Sequence, residues 1–266
     1  MKKKVLLLLS GQLRTYDNEI VVNGWRKFRE KYDTTTVLCC WKNRGRSLYS
    51  IKHYDNDMVE EEEKIDVASI KEVFETDNIK LLDYDEWRSG PDLKPWMAQL
   101  DGDQFFNSVF AAFYLKKNVF RLALDKIGSD RDFDGVFLTR PDMFFLREPP
   151  DYPFEEMEHV WQQNAPENFF ANRIYDNFLF SNLENAAKIC SLYDSPLLPT
   201  SIEKNFGTRL QNLDPCKVLY SYFYLAGISD KSYDHLYTEP YRREEDKKAH
   251  RDHYLNGEKM WCEEKA

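Results

Sequence analysis

No Cys-x-x-Cys pair occurs in this sequence, and its five cysteines (Cys39, Cys40, Cys190, Cys216, Cys262) are odd in number and scattered. That pattern excludes a zinc ribbon and a disulfide framework, and it fits a reducing compartment. Positive charge is short as well: 37 lysines and arginines against 46 acidic residues leave a formal charge of -9. A general nucleic-acid binder usually carries a basic face, so that class is excluded, while a local basic pocket for a phosphorylated small molecule is not. Long hydrophobic runs are missing too. Met1-Lys2-Lys3-Lys4 followed by Val5–Leu9 superficially resembles a signal peptide, but the apolar run is too short for one and no small-residue cleavage site follows. No other stretch approaches the length of a membrane span. The expectation is a first core strand of a cytoplasmic protein without a transmembrane segment, peripheral membrane contact being left open. Also absent are a G-x-G-x-x-G, a P-loop, an internal repeat, a low-complexity linker and a Ser/His/Asp triad in an interpretable context.

What is present is a folded core. Apolar residues make up 42% and aromatics 15% of 266 residues, enough for one sizeable core and a single domain. Val5–Leu9 reads as a strand, Asn18 to Glu30 as a helix and Thr34 to Cys40 as a second strand, an order that favours a right-handed βαβ unit and a parallel sheet. Asp66 caps a short predicted helix carrying Ile70, Val73 and Phe74, and Ile79 to Leu82 forms a third strand. A long aromatic helix spans about Gln104 to Ile127 and ends at Gly128. Further on, Val160–Gln162 reads as a strand, Leu183 to Leu192 as a helix, and Thr200 with Glu203 as a capping box opening a helix to about Leu213. Val218 to Leu225 alternates as a strand would, with Tyr220, Tyr222 and Tyr224 on one face. The fold class is therefore α/β: a Rossmann-type mixed, mainly parallel sheet flanked by helices in a single domain, residues 1–240, with a charged C-terminal extension at 241–266.

One stretch organises the rest. The stretch from Phe133 carries an apolar run, Val136-Phe137-Leu138, that reads as a buried strand, stops at Thr139-Arg140-Pro141-Asp142 and turns apolar again at Met143-Phe144-Phe145. Charges beside a core strand are costly unless paired, solvated or holding a ligand. In open α/β sheets, ligands bind just beyond the carboxyl ends of strands. The segment is expected to grip a diphosphate, with or without a metal. Other Asp-x-Asp strings (Asp55-Asn56-Asp57, Asp101-Gly102-Asp103, Asp130-Arg131-Asp132, Asp132-Phe133-Asp134) read as turns, a helix cap, or the sheet end away from the ligand side.

Three features together resemble the GT-A-type glycosyltransferases, and more narrowly a group from bacteria and large DNA viruses. They are the first strand running into Ser10-Gly11-Gln12-Leu13-Arg14-Thr15, the aromatic helix, and Phe137–Phe144 with Arg140-Pro141-Asp142. Asp176-Asn177-Phe178-Leu179-Phe180 and the helix after it match in order, so the resemblance covers roughly residues 4 to 228.

The resemblance implies a GT-A-like fold. It also implies a hexosyl- or pentosyltransferase that moves a sugar from a nucleoside-diphosphate donor, a UDP-sugar, to a glycan or lipid-linked acceptor. GT-A enzymes generally hold Mn2+ or Mg2+ against the diphosphate with an Asp-x-Asp, whose first carboxylate is replaced here by Arg140. Either Asp142 ligates metal alone while Arg140 meets phosphate through its bidentate fork, or the site is metal-independent, or Arg140 and Asp142 are an ion pair that closes the strand. Ser10, Gly11, Gln12 and Arg14 are the second candidate donor-binding element, or else a strand-to-helix turn that wants a glycine. Trp41 either stacks on a base or sugar or belongs to the core. Asp176 is the candidate general base, or else a turn residue. The tail His253-Tyr254-Leu255-Asn256-Gly257-Glu258-Lys259-Met260-Trp261 is similar to the His-x-x-Gly-x-x-Lys-Pro-Trp ending of family 8 glycosyltransferases, with the glycine displaced by one and methionine for proline. It implies His253 on metal and Lys259 on diphosphate, against a solvated charged tail. The alternatives are a nucleotidyltransferase and a non-catalytic glycan-binding or scaffold protein on the same fold.

Overall fold

The computed structural model describes residues 1–42, 65–94, 97, 109–128, 132–163, 174, 177–203, 215–233, 238–240 and 260–263. Its centre is a seven-stranded sheet built from β1 (Lys4–Gly11), β2 (Asp33–Trp41), β3 (Ile79–Leu82), β4 (Gly135–Thr139), β6 (His159–Gln163), β7 (Phe178–Ser181) and β8 (Ser229–Tyr233). Their order is β3-β2-β1-β4-β7-β6-β8. Neighbours run parallel except β7, which is antiparallel to both β4 and β6. A second, two-stranded sheet pairs β5 (Met143–Phe145) with β9 (Thr238–Pro240).

The leucine run of β1 divides between two cores. Leu6 and Leu8 face one, with Val37, Cys39, Val136 and Leu138, under α4 (Ala111–Ile127) and α5 (Leu183–Cys190). Val5, Leu7 and Leu9 face the other, with Leu38 and Phe137, under α1 (Glu19–Lys31) and α2 (Val67–Phe74). A strand buried on both faces has no polar side to alternate with, which is why this one reads as continuous apolar sequence. Each such leucine contributes about 1.5–3 kcal/mol of transfer free energy.

Short polar side chains start the helices where the sequence suggests. Asn18 accepts from the Ile20 N–H at 3.1 Å, and Asp66 from the Ala68 N–H at 2.9 Å. Asp83 caps α3 (Tyr84–Ser89), a six-residue helix not anticipated from the sequence.

Two expectations on the C-terminal side are corrected. Val218 to Leu225 is no strand but part of α7 (Pro215–Ala226). Val218, Leu219, Tyr222 and Phe223 are buried at helical spacing, while Tyr224 is exposed, so the tyrosine alternation was fortuitous. Thr200 is no N-cap, since α6 already runs Leu197–Glu203, opened by the Ser195 hydroxyl accepting from the Leu197 N–H. The predicted extension to Leu213 lies outside the described residues, as does residue stretch 104–108 of the predicted aromatic helix.

The far end of the chain folds back. Met260 is fully buried, the Trp261 N–H donates to the Leu146 carbonyl at 3.0 Å, and the Trp261 ring meets Phe145 edge-on at 5.6 Å. Lys27 of α1 lies over that ring and donates to the Trp261 carbonyl at 2.8 Å. At these residues the tail packs instead of being solvated.

Candidate functional site

Strand order turns at β1: β2 and β3 lie to one side, β4 to the other. Two neighbouring parallel strands whose connections leave in opposite directions open a crevice at their carboxyl ends, where α/β sheets bind ligands. The sequences at those ends are Ser10–Thr15 after β1 and Arg140-Pro141-Asp142 after β4. The register Leu9↔Thr139 sets them side by side.

Asp142 is fully buried, and its two oxygens accept from Arg140, from Nε at 2.8 Å and from Nη2 at 2.7 Å. Arg14 brings its Nη1 to 3.9 Å from Oδ2 of the same carboxylate and donates from Nε to Gln12 Oε1 at 2.6 Å. Two guanidinium groups thus converge on one carboxylate and one amide.

The surrounding core fixes both loops. Leu13 and Tyr16 are fully buried on either side of Arg14, so its loop is pinned at two points. Gly11 holds φ +154°, a backbone conformation that favours glycine, and a Cβ there would lie 3.5 Å from Arg140 Cγ and Pro141 Cδ. From the core beneath, the fully buried Trp25 indole donates to the Pro141 carbonyl at 3.0 Å. The Thr139 hydroxyl donates to the Asn177 carbonyl at 2.6 Å, tying the end of β4 to the start of β7. Burial pushes the Cys40 thiol well above its usual range, further raised by Cys39 and partly offset by the Gly11 N–H, with Asp142 and Arg140 close enough to act on it in opposite directions. It therefore stays a neutral neighbour of the ion pair.

The remaining predicted residues divide. Ser10 is buried, and its hydroxyl has no hydrogen-bond partner among the described residues. Trp41 is nearly fully buried; it stacks with Tyr114 (ring planes 12° apart) and packs against Tyr84 and Trp87, so its described surroundings are those of a core residue. Asp176, His253 and Lys259 lie outside the described residues, as do Asp55-Asn56-Asp57 and Asp101-Gly102-Asp103. Asp134 accepts from the Lys4 N–H at 2.7 Å, at the opposite, amino end of β1. Trp25 and Thr139 are positioning residues that carry no sequence signal for that role, since their partners are distant in the chain.

A divalent cation of the kind GT-A enzymes use wants several oxygen ligands. Among the described residues no group of three or more His, Cys, Asp or Glu side chains is placed to hold one. The oxygens of Asp142 already accept from a guanidinium. The described donor set does not fit a metal. Removing Asp142 would also strand two cations beside a buried position, so an Asp142→Ala variant is expected to lose stability as well as function.

No family model matches the sequence, and no curated protein does. Among solved structures, one of the galactosyltransferase LgtC in complex with donor and acceptor sugar analogues is similar over 85% of this chain and 72% of that one, at 10% identity and a TM-score of 0.38. The functional reading therefore rests on the site itself.

Proposed function

We propose that the chain is a glycosyltransferase that takes a sugar from a nucleoside-diphosphate donor, a UDP-sugar, and passes it to a hydroxyl of a glycan or glycolipid acceptor. The observation that carries this reading is the convergence of Arg14 and Arg140 at the β1/β4 switch point. Cationic forks at the mouth of such a crevice suit a diphosphate, which guanidinium groups bind bidentately. The motifs that resemble GT-A enzymes are the segments that carry those arginines.

In the reaction, the acceptor oxygen bonds to the anomeric carbon. The bond from that carbon to the diphosphate oxygen breaks, and its electron pair leaves with the nucleoside diphosphate. The hydroxyl proton goes to a base, for which Asp176 is the candidate if the anomeric centre inverts. Positive charge held at the switch point stabilises the leaving diphosphate as it forms.

A panel of nucleotide sugars tests the reading by thermal shift and by release of free nucleoside diphosphate. A matching donor raises the melting temperature by mass action and is slowly hydrolysed without acceptor. Stabilisation without any turnover would favour a non-catalytic sugar-nucleotide binder. No response to any donor would remove the proposal.

A further inference from the structure

We infer that Asp142 is a positioning residue, an internal counterion that aims Arg14 and Arg140, and that these arginines bind the donor diphosphate without a divalent cation. The inference rests on reading this site as a sugar-nucleotide site.

A metal-binding carboxylate has to present oxygen lone pairs to the cation. Asp142 is fully buried, and Arg140 takes both oxygens along its Nε–Nη2 edge. A cation approaching Asp142 must displace that guanidinium and leave it beside a new like charge.

Donor geometry supplies the second argument. A guanidinium carries five N–H donors in a rigid planar fork. With the Nε–Nη2 edge of Arg140 turned to Asp142, the Nη1 end of the fork is directed away from that carboxylate. Arg14 is oriented in its turn by Gln12 Oε1 at 2.6 Å. Both side chains are thus held before any ligand arrives, so binding costs less of the rotamer freedom that long cationic side chains otherwise lose. The rigidity reaches further back. Pro141 is fixed by the Trp25 indole, and Met143, directly after Asp142, is fully buried at the start of β5. The neutralisation of leaving-group charge that a metal supplies elsewhere falls here to the two arginines.

Calorimetric titrations of UDP, GDP and the matching nucleosides, in EDTA and again in excess Mn2+, test this on the whole chain. One diphosphate is expected to bind in EDTA with an affinity within about twofold of that in Mn2+. Arg140→Lys keeps the charge and loses the fork; with Arg14→Gln it should weaken the diphosphate by about tenfold to a hundredfold each while leaving the nucleoside unchanged, as the loss of charge-assisted hydrogen bonds predicts. Asp142→Asn should give the same split. If that variant fails to fold, the wild-type metal comparison and the arginine variants still decide. Binding that appears only with Mn2+, or equal losses for diphosphate and nucleoside, overturns the metal-free clamp and leaves the nucleotide site standing. No binding of either diphosphate under either condition overturns both.

Discussion

At the scale of single residues, the site and its support are separable. Gly135 opens β4, and a Cβ at this position would overlap the Phe180 ring on the paired strand β7. Gly135→Ala must push that ring, which also packs on Phe137 and Tyr152 at 4.7 and 4.4 Å. The expected cost is about 1–3 kcal/mol, as for overpacking elsewhere in cores. Urea unfolding measures it, and an unchanged midpoint would show that the ring moves freely. Diphosphate binding at the proposed site should hold in the folded fraction, because Gly135 lies at the amino end of β4 and Arg140 follows its carboxyl end. Arg14, which reaches only 3.9 Å from an Asp142 carboxylate already held by Arg140, is the converse case, where affinity changes more than stability.

At the scale of elements, the last described turn of the chain is part of the core. Trp261→Ala removes the edge contact on Phe145 and the seat of the Lys27 ammonium. For a half-buried tryptophan the loss should be about 1–3 kcal/mol, below the range for full burial. Chemical denaturation checks it, and a wild-type midpoint would return this turn to the surface. The same scale explains what could be read in advance. β1, β2 and β3 were legible because apolar runs ended at polar turns, α1 because Ile20, Val21, Trp25 and Phe28 recur near helical spacing, and α2 because Asp66 is a natural cap. The arginine-bearing loops were legible because they follow strands whose carboxyl ends bind ligands in this class of sheet. α7 was not, since three tyrosines at alternate positions gave strand and helix the same appearance over eight residues. Nor was the state of Asp142 legible. Sequence supplies a carboxylate two residues after an arginine, but whether those groups face each other or a metal depends on how the chain turns at Pro141. Trp25 sets that turn from 116 residues away, and no local pattern reports such a contact.

At the scale of the whole molecule, burying so many protonated thiols and phenols sets a pH limit. Burial pushes the Cys39 and Cys190 thiols up to about 12, and Tyr193 to about 12, from ordinary values of 9.0 and 10.0. Tyr32 and Tyr114 shift upward too, first through burial and then through neighbouring carboxylates. A raised pKa means that the native state keeps its proton where the unfolded chain releases it. The stability these groups contribute is complete below about pH 9 and is lost as the pH climbs toward 12. Urea midpoints from pH 7 to 11 should stay level and then fall steeply, and a midpoint that rose over that range would contradict the assignment. A different limit comes from the pairing of β5 with β9 and of Leu146 with Trp261. β5 begins at the residue after Asp142, yet the segments that brace it, 238–240 and 260–263, are made roughly a hundred residues later. Synthesis proceeds from the amino end, and folding follows it. The strands that present Arg14 and Arg140, and the Trp25 contact that sets the turn at Pro141, can therefore form on the ribosome well before β5 is braced, so the last segments made are the ones that lock the edge of the site.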